Sequence, residues 1–206
     1  MPGVMGRASR VLACTGWWSG TIPPAEDPGP VRTVGHGTLA EGELIRLLGE
    51  AGITQVVDVR SFPGSRRNPQ YGREELARWL PAAGIEYSWE PRLGGRRSPR
   101  AGSPNVALRH PAFQAYADHM ASPEFDAGLD ALVEVARTTR PTVMCAESVW
   151  WRCHRRLLAD ALVLLRGVRV EHVFHDGRVV AHVPTPEARV AGGRLVYDLG
   201  STAPLL

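Results

Sequence analysis

Between residues 31 and 174, short apolar runs rich in β-branched residues alternate with longer stretches whose apolar side chains recur every three or four positions. A backbone cannot serve a period of two and a period of 3.6 at once, so this alternation constrains the chain more than any other feature. The strand-like runs are PVRTVGHG, ITQVVDVRS, IEYSWE, RPTVMCAE and VRVEHVFH. Between them, LAEGELIRLLGEAG places Leu44, Leu47 and Leu48 on one helical face, and PEFDAGLDALVEVARTT does the same with Leu129, Leu132, Val133 and Ala136. REELARWLPAAG, HPAFQAYADHMAS and WWRCHRRLLADALVLLRG complete five helices. Alternating strands and helices predict an α/β fold, a three-layer α/β/α domain around a mostly parallel sheet.

The 206 residues suffice for one full core. Residues 1–30 end in PPAEDPGP, which excludes helix, and read as a poorly determined N-terminal extension. The domain is expected over 31–183, with 184–206 as a C-terminal tail; GRVVAHV and GRLVYDL are each able to pair as an edge strand. No apolar run reaches the roughly eighteen residues of a membrane span, and the first residues lack the unbroken apolar stretch of a secretory signal. A cytoplasmic location with reduced thiols is the expectation, since three cysteines make no disulfide framework. The net charge of +3 is carried almost wholly by arginine, a residue suited to carboxylate and phosphate. That balance permits nucleic acid as a partner without demanding it.

Sites in open α/β sheets gather at the carboxyl ends of the strands. There lie His36, Asp58, Arg60, Tyr87, Gly94 with Gly95, and the pair Cys145 and Glu147. The stripe Leu157, Leu158, Ala161, Leu162 and Leu165, stepped back one turn, puts Cys153 and His154 on the inward face of the last helix. A helix start lowers a thiol's pKa, which makes Cys145 or Cys153 a candidate nucleophile with His154 as base or hydrogen-bond donor. The opposing reading is that a buried cysteine is most often a small hydrophobe. Glu147 is an acid–base candidate or a partner for Arg60 or Arg155, while Arg152 and Arg156 face Asp160 as surface ion pairs. Cys14 reads as incidental. A metal is the rival chemistry: Cys145, Cys153 and His154 supply three ligands and His36 a fourth across the sheet, although no structural zinc spacing is present. The basic loop GGRRSPR reads equally as a phosphate contact or an unstructured segment.

These residues, in this order, resemble the DUF488 family, a domain of unknown function. The resemblance rests on Val34-Gly35-His36 and a D-V-R-x-x-P-x-S segment from Asp58 to Ser65. It continues with Arg67-Asn68-Pro69, Tyr71, Tyr87, Leu93-Gly94-Gly95, and C-A-E-x5-C-H-R from Cys145 to Arg155, and ends near His172. Gly37 stands where the family more often has serine. The resemblance implies an α/β domain with a shared polar pocket and no established reaction. It adds Ser65, Arg67, Asn68, Tyr71, Arg155 and His172 to the expected binding residues. A fainter likeness to rhodaneses and cysteine phosphatases fails at the closing arginine: position 151 is tryptophan and Arg152 comes one residue late. Sulfur or phosphoryl transfer therefore enters only as analogy. The expected function is a cysteine-centred enzyme acting on a small, anionic or nucleotide-like substrate, with no cofactor beyond the metal alternative. A nucleic-acid-binding module with an arginine-rich face is the other alternative.

Overall fold

The computed structural model describes residues 27–64 and 67–198; Cys14 and Ser65 lie outside the described residues. Five strands run parallel: β1 (Val31–Gly35), β2 (Gln55–Asp58), β3 (Glu86–Trp89), β4 (Pro141–Cys145) and β5 (Val170–Val173). The strand β6 (Val179–Ala181) closes one edge antiparallel to β5, and the order is β3-β2-β4-β1-β5-β6. Helices α1 (Glu41–Glu50), α2 (Arg73–Ala82), α3 (Pro111–Met120), α4 (Pro123–Thr138) and α5 (Arg155–Arg166) supply the outer layers. The expected α/β architecture is present.

Adjacent strand residues show why the sheet is covered twice. Val56 packs with Leu44, Leu47, Leu48, Leu76 and Leu80 of α1 and α2. Its neighbour Val57 packs with Leu129, Leu132, Leu157 and Leu158 of α4 and α5 on the other face. Val143 and Met144 of β4 divide in the same way, as a parallel sheet with two buried faces requires. Local chemistry sets the helix ends. The Ser122 hydroxyl accepts from the Phe125 N–H with Pro123 behind it, the Glu43 carboxylate accepts from the Ala40 N–H, and Gly167 at φ 66° stops α5.

Two expectations about elements are corrected. The last helix begins at Arg155; Trp150–Arg152 form a short 3-10 turn, and Cys153 is extended at φ −125°, ψ 153°. The chain bends there because Arg155 is drawn inward against the main chain it has just left, while the Trp150 ring stacks on His172 with centroids 3.8 Å apart. Of the two edge-strand candidates, GRVVAHV supplies β6 of the main sheet, whereas GRLVYDL does not join it. Strands β7 (Ala188–Ala191) and β8 (Arg194–Tyr197) pair with each other as a separate hairpin. Leu195 and Tyr197 of that hairpin join the core beside α5.

Asp160 explains how the hairpin is held. It is fully buried, and the expected ion pairs with Arg152 and Arg156 do not form. Its Oδ1 accepts from His182 Nε2 and the Thr185 N–H, both at 2.9 Å, and its Oδ2 from the Tyr197 hydroxyl at 3.0 Å. Arg156 instead donates to Thr185 Oγ1. From His182 the chain of bonds continues through His172 Nε2 at 3.0 Å to Thr33 Oγ1 at 2.7 Å from His172 Nδ1. With both rings neutral, the carboxylate fixes each proton: Thr33 donates to His172, His172 to His182, and His182 to Asp160.

Candidate thiol site

The connection leaving β1 runs to β2 on one side of the sheet and the connection leaving β4 runs to β5 on the other, so the crevice between β1 and β4 is a switch point. Gly35 and Cys145 are register partners at its mouth, and the pairing continues through the His36 N–H to the Cys145 carbonyl. Gly35 is required by close approach: a Cβ there would lie 1.9 Å from the Glu147 carbonyl oxygen and 2.8 Å from Arg155 Nη2. The Val34-Gly35-His36 motif is thus the imprint of the loop after β4 lying across β1.

The sulfurs of Cys145 and Cys153 and Nδ1 of His154 all lie within 4.8 Å of one another. His154 Nδ1 is 3.9 Å from the first sulfur and 3.5 Å from the second. Its Nε2 is buried and has no hydrogen-bond partner among the described residues. A proton on Nδ1 makes that nitrogen the donor to sulfur and leaves Nε2 an unpaired acceptor instead of an unpaired donor. The ring is pressed there by Gly95, where a Cβ would sit 2.4 Å from His154 Cγ and Nδ1.

Beneath the sulfurs lies Arg155, 1% exposed and the largest fully buried side chain. Nε donates to Cys153 Sγ at 3.4 Å, and Nη2 donates to the carbonyls of Glu147 and Ser148. No described carboxylate forms an ion pair with it. A buried guanidinium needs a counter-charge, and the one neighbour among its hydrogen-bond partners able to ionise is the Cys153 thiol. The Cys153 pKa is accordingly pushed well below that of a free thiol, first by the hydrogen bond from Cys145, then by His154 and Arg155, against the opposing effect of burial. Cys145 is pushed the other way, by that same hydrogen bond, by burial and by the negative charge on its partner. The two thiols are thus pushed in opposite directions, Cys153 toward the thiolate and Cys145 toward the neutral thiol.

A second layer backs this one. The Asp58 carboxylate and Arg60 guanidinium form a buried two-point pair at 2.8 and 2.6 Å, and the Tyr87 hydroxyl donates to Asp58 Oδ2 at 3.0 Å. Arg60 also donates to the Tyr71 carbonyl and to His36 Nε2, while His36 Nδ1 donates to the Gly37 carbonyl. His36 stacks on Tyr71 at 3.9 Å, and its pKa is lowered to about 4 by burial and then by Arg60. His172 is lowered to about 3, first by burial and then by its neighbours His182 and Arg155.

These two imidazoles carry a pH prediction. Each stays neutral in the folded chain and takes up a proton on unfolding from its ordinary value of 6.5. Below that value the unfolded chain binds more protons, so stability falls as pH drops from 6.5 toward 4. Each histidine contributes up to about 1.4 kcal/mol per pH unit in that window. Urea midpoints measured in steps from pH 7 to pH 5 check this, and a constant midpoint would contradict it.

Two lobes of a groove, about 510 and 500 Å³, meet over Cys145, Ala146, His154 and Gly95. One contains Cys153, Phe113, Ser148 and Arg152; the other contains Arg60, Phe62, Arg96 and Arg97 and, among the described residues, no acidic side chain. Of the residues expected from sequence, Cys145, Glu147, Cys153, His154, Arg60 and Gly95 face this groove. His36, Asp58, Tyr71, Tyr87, Gly94 and Arg155 lie beneath it as support. Arg67 and Asn68 line neither lobe. His172 is away from the groove in the Asp160 chain; the histidine that reaches the strand ends is His175, whose Nε2 donates to the Gly35 carbonyl at 2.6 Å. Glu147 takes part through its backbone carbonyl, its side chain accepting from the Val149 N–H at 3.4 Å, so the expected pairing with Arg60 or Arg155 is absent. Where the family more often has serine, the Ser148 hydroxyl stands 2.2 Å from the place a Cβ of Gly37 would take. Phe113 and Phe62 were not readable as site residues, since neither sits in a chemically marked motif.

For a metal, Cys145, Cys153 and His154 are, among the described residues, the three donors close enough to share an ion. His36 does not join them, because its Nε2 is bonded to Arg60. The Arg155 guanidinium against one donor sulfur also opposes a second cation there.

Fold and cluster together define an α/β domain with a sulfur, imidazole and guanidinium site at the carboxyl edge of its sheet. The chain belongs to the DUF488 family, a domain of unknown function, whose profile matches residues 42–162. No curated protein and no solved structure matches the chain. Among the described residues no helix is long and apolar enough to cross a membrane.

Proposed function

We propose that the chain is a thiol enzyme in which Cys153 is the nucleophile, Cys145 its proton donor, and the substrate a small anion held by the arginine-lined lobe. The observation that carries this reading is the burial of Arg155 with a cysteine sulfur, and no carboxylate, as its ionisable partner. As Cys153 attacks, the Cys145 thiol is placed to protonate the group that leaves, and His154 Nδ1 holds both sulfurs in line. Arg96 and Arg97 supply positive charge with no acid beside it in the lobe, and Arg60 adds to the field although it is paired with Asp58. Two reduced thiols fit a cytoplasmic setting.

Nucleic acid as the anion is the second reading, favoured by Phe62, 72% exposed beside the Arg96 guanidinium, which offers a base a stacking surface next to charge. A steep loss of affinity with salt would select it. The thiol reading is tested by alkylation rate against pH in the native chain, in Cys145→Ser and in Cys153→Ser. Labelling with a midpoint clearly below the ~8.5 of a free cysteine, abolished by Cys153→Ser, is expected. A native chain that does not label, or labels with an ordinary midpoint, refutes it.

A further inference from the structure

We infer that Cys153 and Cys145 form a redox couple that reduces a hydroperoxide at the expense of a small anionic thiol. This deepens the thiol reading above and rests on it. The geometry points to a pair and not to a lone nucleophile: the two sulfurs are within 4.8 Å, both face one lobe of the groove, and neither lies inside a helix. Cys145 ends a strand and Cys153 is an extended residue between the 3-10 turn and α5, so neither sulfur is carried by the interior of a helix.

The steps balance without any further reagent. The Cys153 thiolate attacks the peroxide, an S–O bond forms and the O–O bond breaks, and the departing alkoxide takes the Cys145 proton to leave as alcohol. The Cys145 thiolate then attacks the sulfenic sulfur, the S–S bond forms, and hydroxide leaves and is protonated by solvent as water. Two molecules of an external thiol reduce the disulfide by exchange, giving their own disulfide and the starting pair. Attack falls on Cys145, the more exposed of the two residues, and expels Cys153 as a thiolate beside Arg155 and His154.

Arg155 also sets the direction. It has its counter-charge only while Cys153 is a thiolate; a disulfide leaves the guanidinium buried with carbonyls alone. The reduced form is therefore favoured, which makes the disulfide easy to reduce and demands a strong oxidant such as a peroxide to form it. The lobe beyond Cys145, with Arg60, Arg96 and Arg97, is where an anionic thiol would approach.

The test uses the full chain with Cys14→Ser, reduced and then given one equivalent of hydrogen peroxide. Peptide mapping is expected to show Cys145 linked to Cys153. Cys145→Ser is expected to stop at a sulfenic acid trapped by dimedone, and Cys153→Ser to react at least about tenfold more slowly. The disulfide should then be reduced about tenfold faster by glutathione than by cationic cysteamine, a preference lost in Arg96→Ala with Arg97→Ala. If Cys153 alkylates at low pH but peroxide gives no link, or reacts equally in Cys153→Ser, the redox couple is overturned while the thiolate reading survives. A metal co-purifying in equal amount, and released only by a chelator that first makes the thiols reactive, overturns both.

Discussion

Arg155→Met is expected to slow alkylation of Cys153 at neutral pH by at least about tenfold and to return its midpoint toward ~8.5. The replacement keeps an unbranched chain of similar length in the same cavity and removes only the charge and its donors. Cys153 then has His154 and the Cys145 hydrogen bond in its favour and the whole cost of burial against it. The main-chain carbonyls of Glu147 and Ser148 also lose a partner, so some stability is lost in parallel. Arg155→Lys separates the two effects. It restores a charge near the sulfur without the planar fork that reaches both carbonyls, and should recover reactivity more than stability. Reactivity unchanged in Arg155→Met, measured on chain shown by circular dichroism to be folded, would remove the guanidinium from the site's chemistry.

Asp160→Ala should cost about 3–5 kcal/mol of folding stability, because it strips one carboxylate from three buried partners at once. His182, the Thr185 N–H and the Tyr197 hydroxyl are all left without an acceptor, and none can turn to water. Against a typical total of about 5–15 kcal/mol, such a loss makes the variant marginal at room temperature. Alkylation of Cys153 in the folded fraction should stay fast, since Asp160 does not touch the sulfurs. Urea unfolding measures the first quantity and thiol labelling below the transition the second. A loss under about 1 kcal/mol would mean that the histidine chain is not what holds the hairpin.

The strands and helices of this chain were legible because their periods are local. Leu44, Leu47 and Leu48, or Leu129, Leu132 and Val133, announce a buried face whatever lies opposite, and the structure buries them all. The start of α5 was not legible for the same reason turned round. Trp150 to His154 have a passable helical pattern, and what bends them away is distant: His172 under the Trp150 ring and the carbonyls that Arg155 reaches. Cys153 and His154 do face inward, but from an extended residue and a helix cap, not from a helical turn. Asp160 misled in the opposite sense. An acidic residue spaced four from Arg156 looks like a surface pair, and only the returning hairpin, more than twenty residues on, buries it. Gly35 and Gly95 appeared in sequence as motif letters, and their reason is steric contact with Arg155, the Glu147 carbonyl and His154.

The position of β1 bears on what portion of this chain is an autonomous object. The family profile starts at residue 42, yet β1 lies at 31–35, between β4 and β5, in the middle of the sheet. A fragment confined to residues 42–162 would retain β3, β2 and β4 and expose the inner side of β4 as an unpaired edge. The hydrogen bonds that Thr142 to Cys145 make with Arg32 to Gly35 would be open to any other extended chain, including a second copy of the fragment. Such a fragment would be prone to self-association, and its Arg155 would have lost the neighbouring glycine strand that seals it from water. Recurrence of a sequence pattern and closure of a fold therefore have different boundaries here, the second beginning at least eleven residues before the first.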